Sequence, residues 1–161
     1  MSQLHKIILF LFCISLSKSQ ELDPAYHSNI EINALIDSLS NLQQYENIFS
    51  VDTIGFSSNE NLPILAVKIS DNAHVREDEP RVLFVGQVHA EEVLGVEVVL
   101  DLMMDLLQPD PSDANRINIL VDYLEIYIVP TANPEGLNVV HEGLDLTFRK
   151  NKTDFSPLSL T

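Results

Sequence analysis

The segment Val88-His89-Ala90-Glu91-Glu92 has the side chains and the spacing for metal chemistry. An imidazole at His89 and a carboxylate at Glu92, three residues apart, can face one point if a helix begins near Ala90, and a nitrogen and oxygen donor pair suits zinc. The plainer reading stays open: a histidine at a helix start, with acids favoured by the positive end of the helix dipole. Glu97, Asp101 and Asp105 recur at four-residue spacing and could hold a cation, but that pattern also describes a solvated helix face. His27 and His74 lie in polar stretches and are expected to be exposed. Arg149, Lys150 and Lys152 form a basic cluster that reads, on its own, as solvated charge.

The elements around His89 decide where it would stand. Val82–Val88 is apolar on both faces, as a central strand covered from either side would be, and α/β sheets bind ligands at the C-terminal ends of such strands. From about Glu91 to Leu107 apolar residues lie almost all round a helical period, so the spacing predicts a largely buried helix. Pro109 and Pro111 end it, and Asp110–Asn115 reads as an exposed loop. Tyr123–Val129 then alternates, with Leu124, Ile126 and Ile128 on one face. Upstream, Ser28 and Glu31 have capping-box spacing, and Ile32, Leu35, Ile36, Leu39 and Leu42 form one helical stripe. Val51–Phe56 and Pro63–Ser70 read as two strands joined by Ser57–Asn61, with Lys68 near the end of the second. Alternation of strand, helix and strand points to an α/β domain with a substantially parallel sheet.

The 161 residues, 45% apolar, are enough for one compact domain. A formal charge of −15, from 24 acidic against 9 basic residues, argues against nucleic acid as a partner and against docking on an anionic membrane. Residues 1–19 read as a signal peptide: His5 and Lys6 precede an apolar run, Ile7–Leu16, with small residues at Ser17 and Ser19. That run is short for a bilayer span, which takes roughly 20 apolar residues, so no stable membrane association is expected; a retained anchor is the alternative. The implied location is secreted, extracellular or periplasmic. Cys13 is the single cysteine, so cleavage leaves a chain that no disulfide can brace.

The block Arg81-Val82-Leu83-Phe84-Val85-Gly86-Gln87-Val88-His89-Ala90-Glu91-Glu92 resembles the first zinc-binding block of the carboxypeptidase A-like metallopeptidases. In order around it, Ser50–Ile69 resembles the two strands that precede that block in the family. Asn133-Pro134-Glu135-Gly136 resembles an Asn-Pro-Asp-Gly turn, and Phe148-Arg149-Lys150-Asn151-Lys152 a Trp-Arg-Lys-Asn-Arg block. The resemblance runs from about Tyr26 to Lys152. It implies a zinc metallocarboxypeptidase (Zn2+ as cofactor) acting on peptide or protein C-termini, with His89 and Glu92 as metal ligands and Arg149 as the catalytic residue that stabilises the oxyanion. Asn133 and Gly136 would shape a turn. Glu91 departs from the arginine many relatives carry there. His141 stands where the family places no ligand.

The implied fold is the N-terminal part of a mixed, largely parallel sheet with helices on both faces. The family continues to an Asn-Arg pair, a third ligand histidine, a tyrosine and a general-base glutamate, which these 161 residues do not contain. Residues 20–161 are therefore expected to be a partial catalytic domain, truncated at its C-terminus and inactive alone. A non-catalytic carboxypeptidase-like binding module or a decayed gene product is the alternative.

Overall fold

The structure, a computed structural model, describes residues 21–153. The segment expected to be a signal peptide lies outside them. Helix α1 (Asn29–Ser40) is followed by a short 3-10 turn at Gln43–Tyr45, strands β1 (Phe49–Phe56), β2 (Pro63–Ile69) and β3 (Arg81–Gln87), and helix α2 (Leu94–Leu107). Helix α3 (Ala114–Tyr123), strand β4 (Glu125–Thr131) and helix α4 (Pro134–His141) complete the described chain. One sheet runs β1-β2-β4-β3. The mixed α/β class is as expected, but among the described strands the balance of pairing lies toward antiparallel. The β1/β2 hairpin and β2/β4 run antiparallel, and β3/β4 is the parallel pair.

Helix α1 starts as its sequence dictates. Ser28 accepts from the Glu31 N–H, and the Glu31 carboxylate returns to the Ser28 N–H at 2.8 Å. Ile32, Ile36 and Leu39 are buried, while Leu42 lies past the helix and is exposed. They join Val67, Ile69, Ile126 and Ile128 from the sheet and Val96, Leu100 and Met103 from α2 in one apolar cluster. Each such side chain contributes roughly 1.5–3 kcal/mol on burial.

Four expectations are corrected. β3 is an edge strand among the described residues, not a central one; Leu83 is 63% and Val85 42% exposed. An unbroken apolar run records which surfaces a strand can bury, whereas coverage depends on what packs against it. Helix α2 begins at Leu94 rather than near Ala90, because Ala90–Val93 form successive tight turns, with Glu92 N–H to His89 O and Gly95 N–H to Glu92 O, both 3.1 Å. Its inner stripe is buried, but Leu94 and Val98 face outward. Asn115 and Tyr123, assigned to a loop and a strand, belong to α3. There Ile117 and Val121 sit on one helical face against the core. Asn133–Gly136 is the start of α4, capped by the Asn133 side chain with Pro134 in the first turn.

Two features fix the sheet around the site. Gly86 and Gly95 meet backbone to backbone: a Cβ on Gly95 would overlap the Gly86 carbonyl oxygen, and one on Gly86 would stand 2.6 Å from Val99 Cγ2 and 2.8 Å from Gly95 O. Below the site, Glu125 at the start of β4 is fully buried and accepts from Lys68 Nζ at 2.9 Å, from the Glu77 N–H at 2.9 Å and from the Arg81 Nε–H. Lys68, also buried, donates to Val75 O at 2.5 Å, which ties the Ser70–Pro80 loop to the sheet. The Glu77 N–H and Lys68 hold the Glu125 carboxyl down to about 2 from an ordinary 4.5, against the burial that would raise it.

Two outcomes follow. Gly95→Ala has no flexible side chain to displace, so it should cost 1–3 kcal/mol or more, about the overpacking range, read as a lowered denaturation midpoint in urea. Because the carboxyl of Glu125 is depressed, its stabilisation is complete above pH 4.5 and is lost as the pH falls through about 2. Glu125→Gln should lower stability at pH 7 and make it less dependent on pH between those limits; an unchanged acid profile would show that Glu125 does not govern it.

Candidate metal centre

His89 and Glu92 lie in the loop that leaves the C-terminal end of β3 and returns at Gly95. Although α2 starts late, the turns of Ala90–Val93 bring the two side chains together, with His89 Nδ1 2.9 Å from Glu92 Oε1. Arg149, some sixty residues later, reaches the same point. Its Nη2 stands 3.1 Å from His89 Nδ1, and its Nη1 is 3.4 Å from Glu92 Oε1 and 2.5 Å from Glu91 Oε1. The side chains of His89, Glu92 and Arg149 are 43%, 53% and 56% exposed, so the group is open to solvent. Glu91 is more enclosed, and its Oε2 has no hydrogen-bond partner among the described residues. Burial would raise the Glu91 carboxyl, but its own backbone N–H and the Arg149 guanidinium hold it below the ordinary carboxylate value.

The donor set fits one half of a zinc site. His89 Nδ1 faces both a carboxylate acceptor and a guanidinium donor, and in either tautomer it satisfies only one of them. Two donors on a tetrahedral zinc stand about 3.4 Å apart given bonds near 2.1 Å. The observed pair would open by about half an ångström, within side-chain adjustment. Among the described residues no third histidine, cysteine or acid joins them; the threefold group of such atoms is Asp71, Glu77 and Glu79, at the Glu125 end of the molecule. His141 donates its Nε2–H to Tyr26 O at 3.1 Å and is not part of the centre. His27 is half-buried rather than exposed, its ring 2.7 Å from Glu97, so Glu97 leaves the solvated stripe that Asp101 and Asp105 keep. His74 is exposed, as expected.

Residues behind the three named side chains hold this centre. Gln87 is fully buried and donates to Ala90 O at 2.9 Å; its own side-chain oxygen accepts from Thr131 Oγ–H. The Ala90 N–H reaches Arg149 O at 3.2 Å. Glu135, also buried, accepts from the Asn59 and Glu60 N–H groups, and Lys152 pairs with Glu60. The β1/β2 turn, the start of α4 and the Arg149 segment are therefore one connected surface. Asn133 and Glu135 lie in the noted Asn-Pro-Glu-Gly motif, but Gln87 and Thr131 carry no pattern that marks them as anchors.

Known proteins resemble this chain in sequence and in fold. The family described as zinc carboxypeptidase matches residues 32–156. The chain is 33% identical over 109 residues to a zinc carboxypeptidase of Saccharothrix mutabilis subsp. capreolus, covering 67% of this chain and 25% of that protein. It is 31% identical over 115 residues to human carboxypeptidase D, covering 70% of this chain and 8% of that one. The crystal structure of carboxypeptidase A from Helicoverpa armigera superposes with a TM-score of 0.68 at 25% identity, over 82% of this chain and 30% of the other. The chain thus spans a quarter or less of the length of these two sequence relatives. With a family match over most of its length, and a sheet and helices that superpose on a solved carboxypeptidase, this chain belongs to the zinc carboxypeptidase family.

Proposed function

We propose that residues 20–161 form the N-terminal portion of a secreted zinc metallocarboxypeptidase domain that removes residues from peptide or protein C-termini. The third metal ligand and the general base would be supplied by sequence beyond these 161 residues. In this reading His89 and Glu92 hold the metal, whose chemistry is to polarise the scissile carbonyl and lower the pKa of an attacking water. Arg149 then offers a fixed positive charge where negative charge develops on the carbonyl oxygen. Glu91 restrains the guanidinium beside the ligand pair instead of leaving it free in solvent.

The observation that carries the reading is the convergence of His89, Glu92 and Arg149, from segments sixty residues apart, within hydrogen-bond distance of one another. Among the described residues no helix is long and apolar enough to cross a membrane. Secretion rests on the signal-peptide pattern of residues 1–19.

Zinc titration of the chain against a chromophoric chelator tests the ligands. The unaltered chain should bind zinc weakly, and His89→Ala and Glu92→Ala should each abolish that binding; equal binding by all three would remove these residues from the metal. In the complete protein, Arg149→Ala should lower turnover by about 100-fold or more, as the loss of an oxyanion donor does, while zinc content stays near one per chain. Parallel loss of both would make Arg149 a structural residue.

A further inference from the structure

The side chain of Asn133 does more than cap α4. Its Oδ1 accepts from the Gly136 N–H at 3.0 Å, which fixes the orientation of the amide and turns Nδ2 outward from the helix. The two hydrogens on Nδ2 then meet two carbonyls from distant segments, Val88 O at 3.3 Å and Lys150 O at 3.0 Å. Val88 immediately precedes His89, and Lys150 immediately follows Arg149. One amide nitrogen therefore bridges the backbone on either side of the candidate centre, and Asn133 is itself buried, with 7% exposure. Its own N–H is held by Thr131 Oγ1 at 3.1 Å, and Thr131 leads on to Gln87, which grips Ala90 O. Between the two clamped segments the Ala90 N–H bonds Arg149 O.

We infer that Asn133 is a positioning residue that couples the His89–Glu92 loop to the Arg149 segment. The clamp is a property of the fold; its meaning for metal chemistry rests on the metal role proposed for His89. Asn133 has one side-chain acceptor at the helix cap, two side-chain donors on the two segments, and a backbone N–H on Thr131. Removing the Nδ2 donors takes from Val88 O and Lys150 O the one group that bonds both, and the segments should separate.

Capping and clamping can be parted by substitution. Asn133→Asp and Asn133→Ser both keep an oxygen for the Gly136 N–H, since aspartate and serine are good N-cap residues, and both lack the amide nitrogen. Amide hydrogen exchange on the full chain reads the result at Ala90, whose protection reports the loop-to-Arg149 bond, against α2 and β4, which report the domain. In both variants Ala90 should exchange about tenfold faster or more while α2 and β4 amides keep their protection. Unchanged exchange at Ala90, or a loss shared evenly by all three regions, would overturn the inference. If the Asn133→Asp variant does not fold, the uncharged Asn133→Ser variant still decides.

Zinc affinity supplies the second readout. The same variants should bind zinc about 10- to 100-fold more weakly, the range in which residues behind a metal ligand act. His89→Ala separates the two claims: if it binds zinc as the unaltered chain does, the metal assignment fails, and the Ala90 exchange still judges the clamp.

Discussion

The meeting of Gly86 and Gly95 is the constraint on which the candidate centre depends. With no Cβ on either residue, the last turn of β3 and the first turn of α2 touch through their backbones, so the residues from Gln87 to Leu94 leave and rejoin the fold at one place. A loop closed at its base has few conformations to search, and it can hold polar side chains outward without a binding partner to order them. The closure also explains why the helix starts late. The chain must turn back on itself through Ala90–Val93 before a helical register aligned with Gly95 is possible, and those turns, rather than a helix face, bring His89 to Glu92.

Charge is placed at both ends of the sheet, with opposite logic. At the Glu125 end, Lys68, the Glu77 N–H and the partly exposed Arg81 donate to one fully buried carboxylate, and removing a partner there leaves buried charge uncompensated. At the His89 end, the same kinds of group meet in solvent, where pairing contributes little to stability and the side chains remain free to exchange partners. The first arrangement anchors the Ser70–Pro80 loop. The second leaves a histidine, two carboxylates and a guanidinium paired where solvent keeps the stabilisation from pairing small.

Much of this was legible in the sequence where a local rule decides the outcome. The Ser28–Glu31 cap, the β1/β2 hairpin and the inward face of Ile126 and Ile128 are set by spacing alone, and the family motifs located His89, Glu92 and Arg149. Longer-range facts were not. Nothing near Lys68 announces Glu125 fifty-seven residues away, and a lysine in a strand reads as an exposed end until its partner is seen. Helix α3 was hidden because Asn115 and Ser112 suggest a loop and the tyrosine at its end suggests a strand, while its apolar contacts come from tertiary packing. Coverage of β3 could not be read either, since it depends on neighbours and not on the strand's own residues.

That edge has a kinetic meaning. Along β3 the outward row of N–H and C=O groups is unmatched among the described residues, and Leu83 and Val85 stand exposed beside it. Such a row is a template for any extended segment, with no preference for sequence and with affinity set by length and apolar flanks. Association through it is second order in chain, so dilution favours the monomer and crowding at synthesis favours pairing. An uncovered β3 edge therefore makes pairing between chains a question of concentration and time.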